Sequence, residues 1–232
     1  MSHALPDPGI TKDTSIVITV INAAEIYLNK ERVAKERLAE LTKKMADDKP
    51  EDQRIVYLKG DVNAPYGNIV EILKTIRNAE LDTIKLVVGK LGDTSVDQEK
   101  MYCLEILLPA QNDPSVDWSK IHVKPNPLSL LVDIGADGKL KLNAEELGTI
   151  VNPSPLAAKL SNIFNARKEG AGRMGEVERM VILKAPISVK YGDVAKVIDA
   201  IAGAGSEPIV PQLEEGVPVV IAPKIHLHFG PR

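Results

Sequence analysis

The chain has 232 residues, enough for one large or two small domains, and its composition of 44% hydrophobic and 26% charged residues is that of a globular protein. The formal net charge of -3 gives no electrostatic basis for binding DNA or RNA, because affinity for nucleic acid rests on clustered Lys and Arg. Nucleic acid is therefore not expected as a partner. The single cysteine, Cys103, can form no internal disulfide, and its apolar surroundings in the sequence predict a buried, inert thiol.

The first half is predicted to open with a β-hairpin and to continue with alternating helices and strands. Short β-branched and alternating runs predict the hairpin strands, and apolar positions at helical spacing predict the helices. The predicted elements are hairpin strands over 15–21 and 25–29, a helix over 33–46, a strand over 54–60, a helix over 68–80 and strands over 83–88 and 101–108. The order is β-β-α-β-α-β-β.

The second half is predicted to follow the same order. Its hairpin is centred on Asp137-Gly138, a dipeptide typical of tight hairpin turns. A helix is expected to begin over 156–165, a surface loop over 167–176 to hold most of the extra length of this half, and the last strands to lie over 217–222 and 225–229.

An internal repeat supports two domains. The run Arg54-Ile-Val-Tyr-Leu-Lys59 is followed by a helix that begins at Tyr66-Gly67, and Arg179-Met-Val-Ile-Leu-Lys184 is followed by one that begins at Tyr191-Gly192. Because a whole strand-loop-helix unit recurs in register, we predict tandem copies of one domain. The predicted fold class is α+β: two similar domains, 14–109 and 127–232, each a β-β-α-β-α-β-β two-layer sandwich with helices on one face of a small mixed sheet, joined by a Pro-containing linker over 110–126.

No motif in the sequence predicts catalysis. Gly170, Gly172 and Gly175 match the spacing of a nucleotide-binding loop, but they follow a predicted helix where that loop must follow a strand. His226 and His228 would share one face of a strand, yet no third ligand lies near them in sequence. Four histidines and no nucleophile signature leave little for a catalytic triad. We therefore predict no enzymatic activity, no metal site and no cofactor.

The junction before the second predicted helix carries the most specific motif. Leu58-Lys-Gly-Asp61-Val-Asn-Ala-Pro65-Tyr66-Gly67 has an Asp a few residues after a strand and Pro-Tyr-Gly opening a helix. Pro65 stiffens the entry, Tyr66 can bury its ring beneath the helix, and Gly67 permits close backbone approach. Such a junction can be an ordinary strand-to-helix turn and can also mark a family.

This motif resembles the extracytoplasmic domain of the ExbD/TolR family, and the likeness covers about residues 14–90. In the second half Tyr191 and Gly192 persist, but Pro186 stands at the position of Asp61 and Lys190 at that of Pro65. A role that needs the Asp is therefore expected only in the first half.

The resemblance implies a periplasmic part of an inner-membrane motor driven by the proton-motive force. It implies an ExbB-like or TolQ-like channel subunit, bound through an N-terminal helix that this sequence lacks, and a TonB-like or TolA-like protein or peptidoglycan as further partner. Family members dimerise, so the resemblance implies either a homodimer or, after duplication, an intramolecular pseudo-dimer of the two halves.

Two other classes of protein remain open. A pair of α+β domains could form a soluble regulatory protein that binds a small molecule at an interface. It could also form a cytoplasmic scaffold with no ligand.

Overall fold

The structure is a computed structural model. It describes residues 5–6, 10, 15–50, 53–81, 83–88, 102–110, 128–171 and 177–214. The predicted linker and the predicted strands over 217–222 and 225–229 lie outside these residues, apart from residue 110, and so do His226 and His228. Of the glycines with nucleotide-loop spacing, only Gly170 is described.

The described elements confirm an α+β fold with four helices and two mixed sheets. Those of the first half are β1 (Leu5–Pro6), β2 (Ile16–Asn22), β3 (Glu25–Leu28), β4 (Glu31–Val33), α1 (Lys35–Asp47), β5 (Val56–Gly60), α2 (Tyr66–Asn78), β6 (Thr83–Val88) and β7 (Tyr102–Leu107). Those of the second half are β8 (Leu130–Ile134), β9 (Lys139–Leu142), β10 (Glu145–Thr149), α3 (Ser154–Ala171), β11 (Val181–Lys184), α4 (Tyr191–Gly203) and β12 (Ile209–Pro211).

The five described strands of the second sheet repeat the arrangement of five strands of the first. The first has the order β1-β7-β6-β5-β2-β3-β4 and the second β10-β9-β8-β11-β12. In each, the first hairpin strand lies parallel to the strand that precedes the second helix: β2 pairs with β5, and β8 with β11. The next strand along the chain is parallel as well, in matching register, because Val56 pairs with Ile84 and Val181 with Ile209.

Alternation along the strands places the helices on one face of the first sheet. Ile16 and Ile18 of β2 are fully buried in the same cluster as Ile69 and Leu73 of α2. Tyr57, which lies between buried residues of β5, joins Cys103 in a second cluster on the other face. Side chains that alternate along a strand point to opposite faces, so the main core lies between sheet and helices. The thiol of Cys103 is buried, as predicted.

Each hairpin is closed by the same asparagine contact. The backbone N–H of Asn29 donates to the carbonyl of Val17, and the side-chain Oδ1 of Asn29 accepts from the N–H of Val17. Asn143 makes the same two bonds with Leu131. Both asparagines have positive φ, 55° and 48°, a conformation that Asn tolerates better than most residues. Identical local chemistry thus fixes the return strand of both hairpins.

Several elements differ from the prediction. The structure adds a third strand after each hairpin, β4 and β10, so Val33 pairs with Ile26 and α1 begins at Lys35 instead of residue 33. Helix α2 begins two residues earlier than predicted, at Tyr66. Helix α3 continues to Ala171, so the first part of the predicted surface loop over 167–176 is helical. The loop prediction was wrong there because Gly170, tolerated on the exposed side of a helix, was taken as a loop signal.

Candidate functional site

The junction between β5 and α2 is shaped by Asp61. Its backbone N–H donates to the carbonyl of Val20 at 3.0 Å, and its side-chain Oδ1 accepts the N–H of Asn63 at 2.7 Å. Its carbonyl accepts the N–H of Ala64 at 3.0 Å. This is an Asx turn, in which the carboxylate stands in for a backbone carbonyl. Asp61 is exposed at the surface, so the turn occupies its carboxylate without burying it.

The junction between β11 and α4 makes the same turn without a carboxylate. Pro186 stands at the position of Asp61, and its carbonyl accepts the N–H of Val189 at 3.2 Å, as the carbonyl of Asp61 does for Ala64. Proline has no polar side chain to complete an Asx turn. The backbone path is therefore common to the two junctions, and the side-chain bond belongs to the first alone.

The two junctions bind each other through reciprocal backbone hydrogen bonds. The N–H of Tyr66 donates to the carbonyl of Val189 at 2.7 Å, and the N–H of Tyr191 donates to the carbonyl of Ala64 at 2.8 Å. Tyr66 and Ala64 stand 125 positions before Tyr191 and Val189 respectively. One bond is therefore the symmetry mate of the other.

A second reciprocal pair lies one residue further into each helix. The N–H of Gly67 donates to the carbonyl of Ile187 at 2.8 Å, and the N–H of Gly192 donates to the carbonyl of Val62 at 2.9 Å. The same offset of 125 positions relates these two bonds. The antiparallel bridge between Pro65 and Lys190, which are also 125 positions apart, lies at the centre of the four bonds. Local twofold symmetry thus relates the halves at this contact.

These bonds supply the missing N-terminal caps of α2 and α4. The N-cap residues, Pro65 and Lys190, make no side-chain capping bond. The first N–H groups of a helix have no partner within the helix and need one elsewhere. In α2 and in α4 the first two of them, at the Tyr and the Gly, are satisfied by carbonyls of the other half. Each half therefore caps a helix of the other.

The two glycines allow this close approach. A Cβ atom added at Gly67 would lie 3.0 Å from Cβ of Ile187, and one added at Gly192 would lie 2.9 Å from the backbone oxygen of Val62. Real Cβ atoms do not come as close to backbone as the one at Gly192 would, and the one at Gly67 would require Ile187 to shift by a few tenths of an ångström. The need for glycine here is steric, since the space is taken by the opposite half of the chain.

The two tyrosine rings are buried at this contact. Tyr66 is 2% and Tyr191 1% exposed. Burial raises the pKa of both phenols above their ordinary value of 10.0, so both remain neutral at physiological pH. The Tyr191 ring lies against the first half, because a Cβ atom added at Gly60 would be 2.9 Å from its Cδ1 atom. Its hydroxyl has no hydrogen-bond partner among the described residues.

An ion pair joins the halves beside the junctions. Arg77 in the last turn of α2 donates from Nη1 and Nη2 to the two carboxylate oxygens of Glu214, at 3.1 and 2.6 Å. The side chains are 10% and 31% exposed. Two parallel bonds of this kind fix orientation as well as distance.

A cleft of about 470 Å³ opens at the carboxyl ends of β8, β11 and β12. Asp133, Lys184 and Glu214 supply charged groups to its lining, and Val70 of α2 closes one side. The carboxyl ends of parallel strands are where open α/β sheets most often bind ligands. No cluster of three or more His, Cys, Asp or Glu that could hold a metal ion is found within the described residues.

The structure brings the predicted motif residues together across the two halves. Tyr66, Gly67, Tyr191 and Gly192 take part in the contact through backbone bonds, and Pro65, although exposed, forms the central bridge with Lys190. Asp61 lies exposed at the margin of the contact. Sequence reasoning missed the loop carbonyls that accept these bonds, and it missed the Arg77–Glu214 pair. The repeat is the only signal in the sequence for the loop carbonyls, because it shows which loop positions correspond in the two halves.

The family model that matches this chain covers the half that contains Asp61 and Pro65. The model described as Biopolymer transport protein ExbD/TolR matches residues 4–91, a range that includes Asp61, Pro65, Tyr66 and Gly67. The resemblance to the ExbD/TolR family is thereby confirmed for the first half of the chain. No curated protein matches the chain.

The ExbD/TolR family consists of membrane-anchored transport components that are not enzymes and that work with ExbB/TolQ and TonB/TolA partners. In the part of this chain that the structure describes, no helix combines the length and apolar character needed to cross a bilayer.

Proposed function

We propose that this protein is a non-enzymatic periplasmic coupling module of a transport motor driven by the proton-motive force. The observation that carries the proposal is the ExbD/TolR match over residues 4–91, which includes the Pro-Tyr-Gly junction at which the two halves meet. We also propose that the chain is a tandem duplicate with domains 14–109 and 127–232, joined by the linker 110–126. The five-strand arrangement common to both sheets and the common asparagine contact of the hairpins support the duplication.

The pairing of the halves supports a module that works as an intramolecular pseudo-dimer. Family members dimerise, and a linked second copy replaces a separate subunit at a high effective concentration. The reciprocal bonds of Tyr66 and Tyr191 give each half the contact that a second subunit would otherwise supply. The partners proposed on this basis are an ExbB-like or TolQ-like channel subunit, reached through an N-terminal helix, and a TonB-like or TolA-like protein or peptidoglycan.

Site-specific photo-crosslinking in intact cells tests this function. A photoreactive residue at Asp61, exposed in the half that matches the family, is compared with one at Lys168, exposed near the end of α3. We expect an adduct with an envelope protein of the TonB/TolA or ExbB/TolQ type from position 61, changed by a protonophore, and none from position 168. Recovery of the protein in the cytoplasmic fraction, with no such adduct, would overturn the proposal.

The cleft beside β8 and β11 favours one alternative, a regulatory protein that binds a small molecule. Ala136 is exposed in its lining, and Ala136→Trp would fill part of the space. Ligand-detected NMR with a metabolite mixture should show binding to the wild-type protein and not to this variant. Equal spectra for the two proteins would count against the alternative.

A further inference from the structure

We propose that Arg77 and Glu214 are specificity residues that make the unlike halves of this chain pair with each other and prevent pairing of like halves between two chains. The proposal rests on the pseudo-dimer of the proposed function and does not depend on transport or on any partner. It concerns the contact that a duplicated domain must control, since each half still carries the Tyr-Gly junction through which the pairing occurs.

The ion pair is the asymmetric part of an otherwise symmetric contact. At the offset of 125 positions, the counterpart of Arg77 in the second half is Ala202, and the counterpart of Glu214 in the first half is Gly89. The offset applies around these positions because β5–β6 and β11–β12 pair in the same register. The twofold symmetry therefore repeats the backbone bonds but not the ion pair.

Pairing of like halves would separate Arg77 from Glu214. Two first halves would each present an Arg77 side chain with no acid at the position of Glu214. Arg77 is only 10% exposed in the contact, and a buried charge is costly unless it is paired. Two second halves would each present Glu214 opposite Ala202, where no cation stands. Only the unlike pair brings the Arg77 guanidinium and the Glu214 carboxylate together.

Charge complementation between two full-length variants tests the proposal. Arg77→Glu leaves a chain with an acid at both positions of the pair, and Glu214→Arg leaves a chain with a cation at both, so each variant is mismatched alone. When the two variants are refolded together, unlike halves of different chains become complementary. We expect light scattering to show a 1:1 dimer of twice the monomer mass of 25.2 kDa, about tenfold more abundant than in either variant alone.

The double variant Arg77→Glu, Glu214→Arg and a matched control complete the test. The double variant restores complementarity within one chain, so we expect it to be monomeric, as we expect for the wild type. Lys43→Glu mixed with Glu80→Lys exchanges a pair that lies within the first half, and this mixture should give no added dimer. The proposal is wrong if the Arg77 and Glu214 variants give no more dimer when mixed than when separate, or if the double variant stays dimeric. These readouts concern pairing only, so they stand whatever crosslinking at Asp61 shows.

Discussion

The junction between β5 and α2 and the junction between β11 and α4 follow one backbone path with different side chains. Asp61 completes its turn with a carboxylate, whereas Pro186 makes the equivalent turn with its carbonyl alone. Both junctions retain Tyr and Gly at the start of the helix. The difference teaches that the two junctions contact each other through backbone bonds and through glycines that leave room for them, so that the turn residue at position 61 or 186 is free to differ.

Removal of a buried tyrosine ring at either junction should have the largest effect on stability, and it compares the two junctions directly. Tyr66→Ala and Tyr191→Ala should each lower the free energy of unfolding by about 3–5 kcal/mol, as truncation of buried aromatic side chains does. Tyr191→Ala should cost at least as much as Tyr66→Ala, because the Tyr191 ring also lies against Gly60 of the other half. Urea denaturation measures both. A loss below about 1 kcal/mol for either would contradict the burial of that ring.

Filling the space between the halves should have the next largest effect. Gly67→Ala and Gly192→Ala should each lower the free energy of unfolding by about 1–3 kcal/mol, since the added methyl group overpacks the contact. Gly170→Ala in α3 is the matched control, because its Cβ would meet nothing within 4 Å. This control should stabilise the protein by about 0.5–1 kcal/mol. If Gly192→Ala proves as harmless in denaturation as Gly170→Ala, the close approach is not real.

The asparagines of the two hairpins test whether the same contact contributes equally to stability in both halves. Asn29→Ala and Asn143→Ala should each cost about 1–2 kcal/mol, because each loses the bond from Val17 or Leu131 and forces Ala into positive φ. Asn→Gly at the same positions removes the bond and relieves the backbone strain, so its cost should be smaller. Thermal unfolding of the four variants measures the effect. Unequal losses at the two asparagines would argue against equivalent hairpins.

The smallest effect should come from the residue that distinguishes the junctions. Asp61→Ala removes the acceptor for the N–H of Asn63 and should cost about 0.5–1.5 kcal/mol. Asp61→Asn keeps an acceptor oxygen and should cost less. Pro186→Ala, which removes no hydrogen bond, is the counterpart in the second half. Urea denaturation that ranks Pro186→Ala above Asp61→Ala would show that the Asx turn adds no stability.

Local patterns in the sequence were enough to predict most of the elements. Alternation and the Asp137-Gly138 turn predicted both hairpins, and the apolar run over 83–88 predicted β6 to the residue. Strand β4 was not predictable, because Glu31, Arg32 and Val33 show no strand alternation and pair only because β3 offers an open edge. Its existence is decided by the neighbouring strand and not by its own residues.

The candidate site was predicted only in part, for a similar reason. The repeat and the Pro-Tyr-Gly motif singled out Tyr66 and Tyr191, and the structure brings them together. Arg77 and Glu214, 137 positions apart, carry no local signal, since an ion pair between distant residues depends on how two domains pack. Gly67 was expected to permit close approach of the backbone. The residue that approaches it, Ile187, belongs to the other half of the chain.

The exchange of helix caps has a mechanical consequence. Separating the halves would expose four N–H donors at once, those of Tyr66, Gly67, Tyr191 and Gly192, and would fray the first turns of α2 and α4 together. We expect such a joint to resist a pulling force until it yields in one step, because no bond can be lost without loosening its symmetry mate. A module that transmits force through this chain would therefore behave as a rigid body up to a threshold load and as two separate halves beyond it.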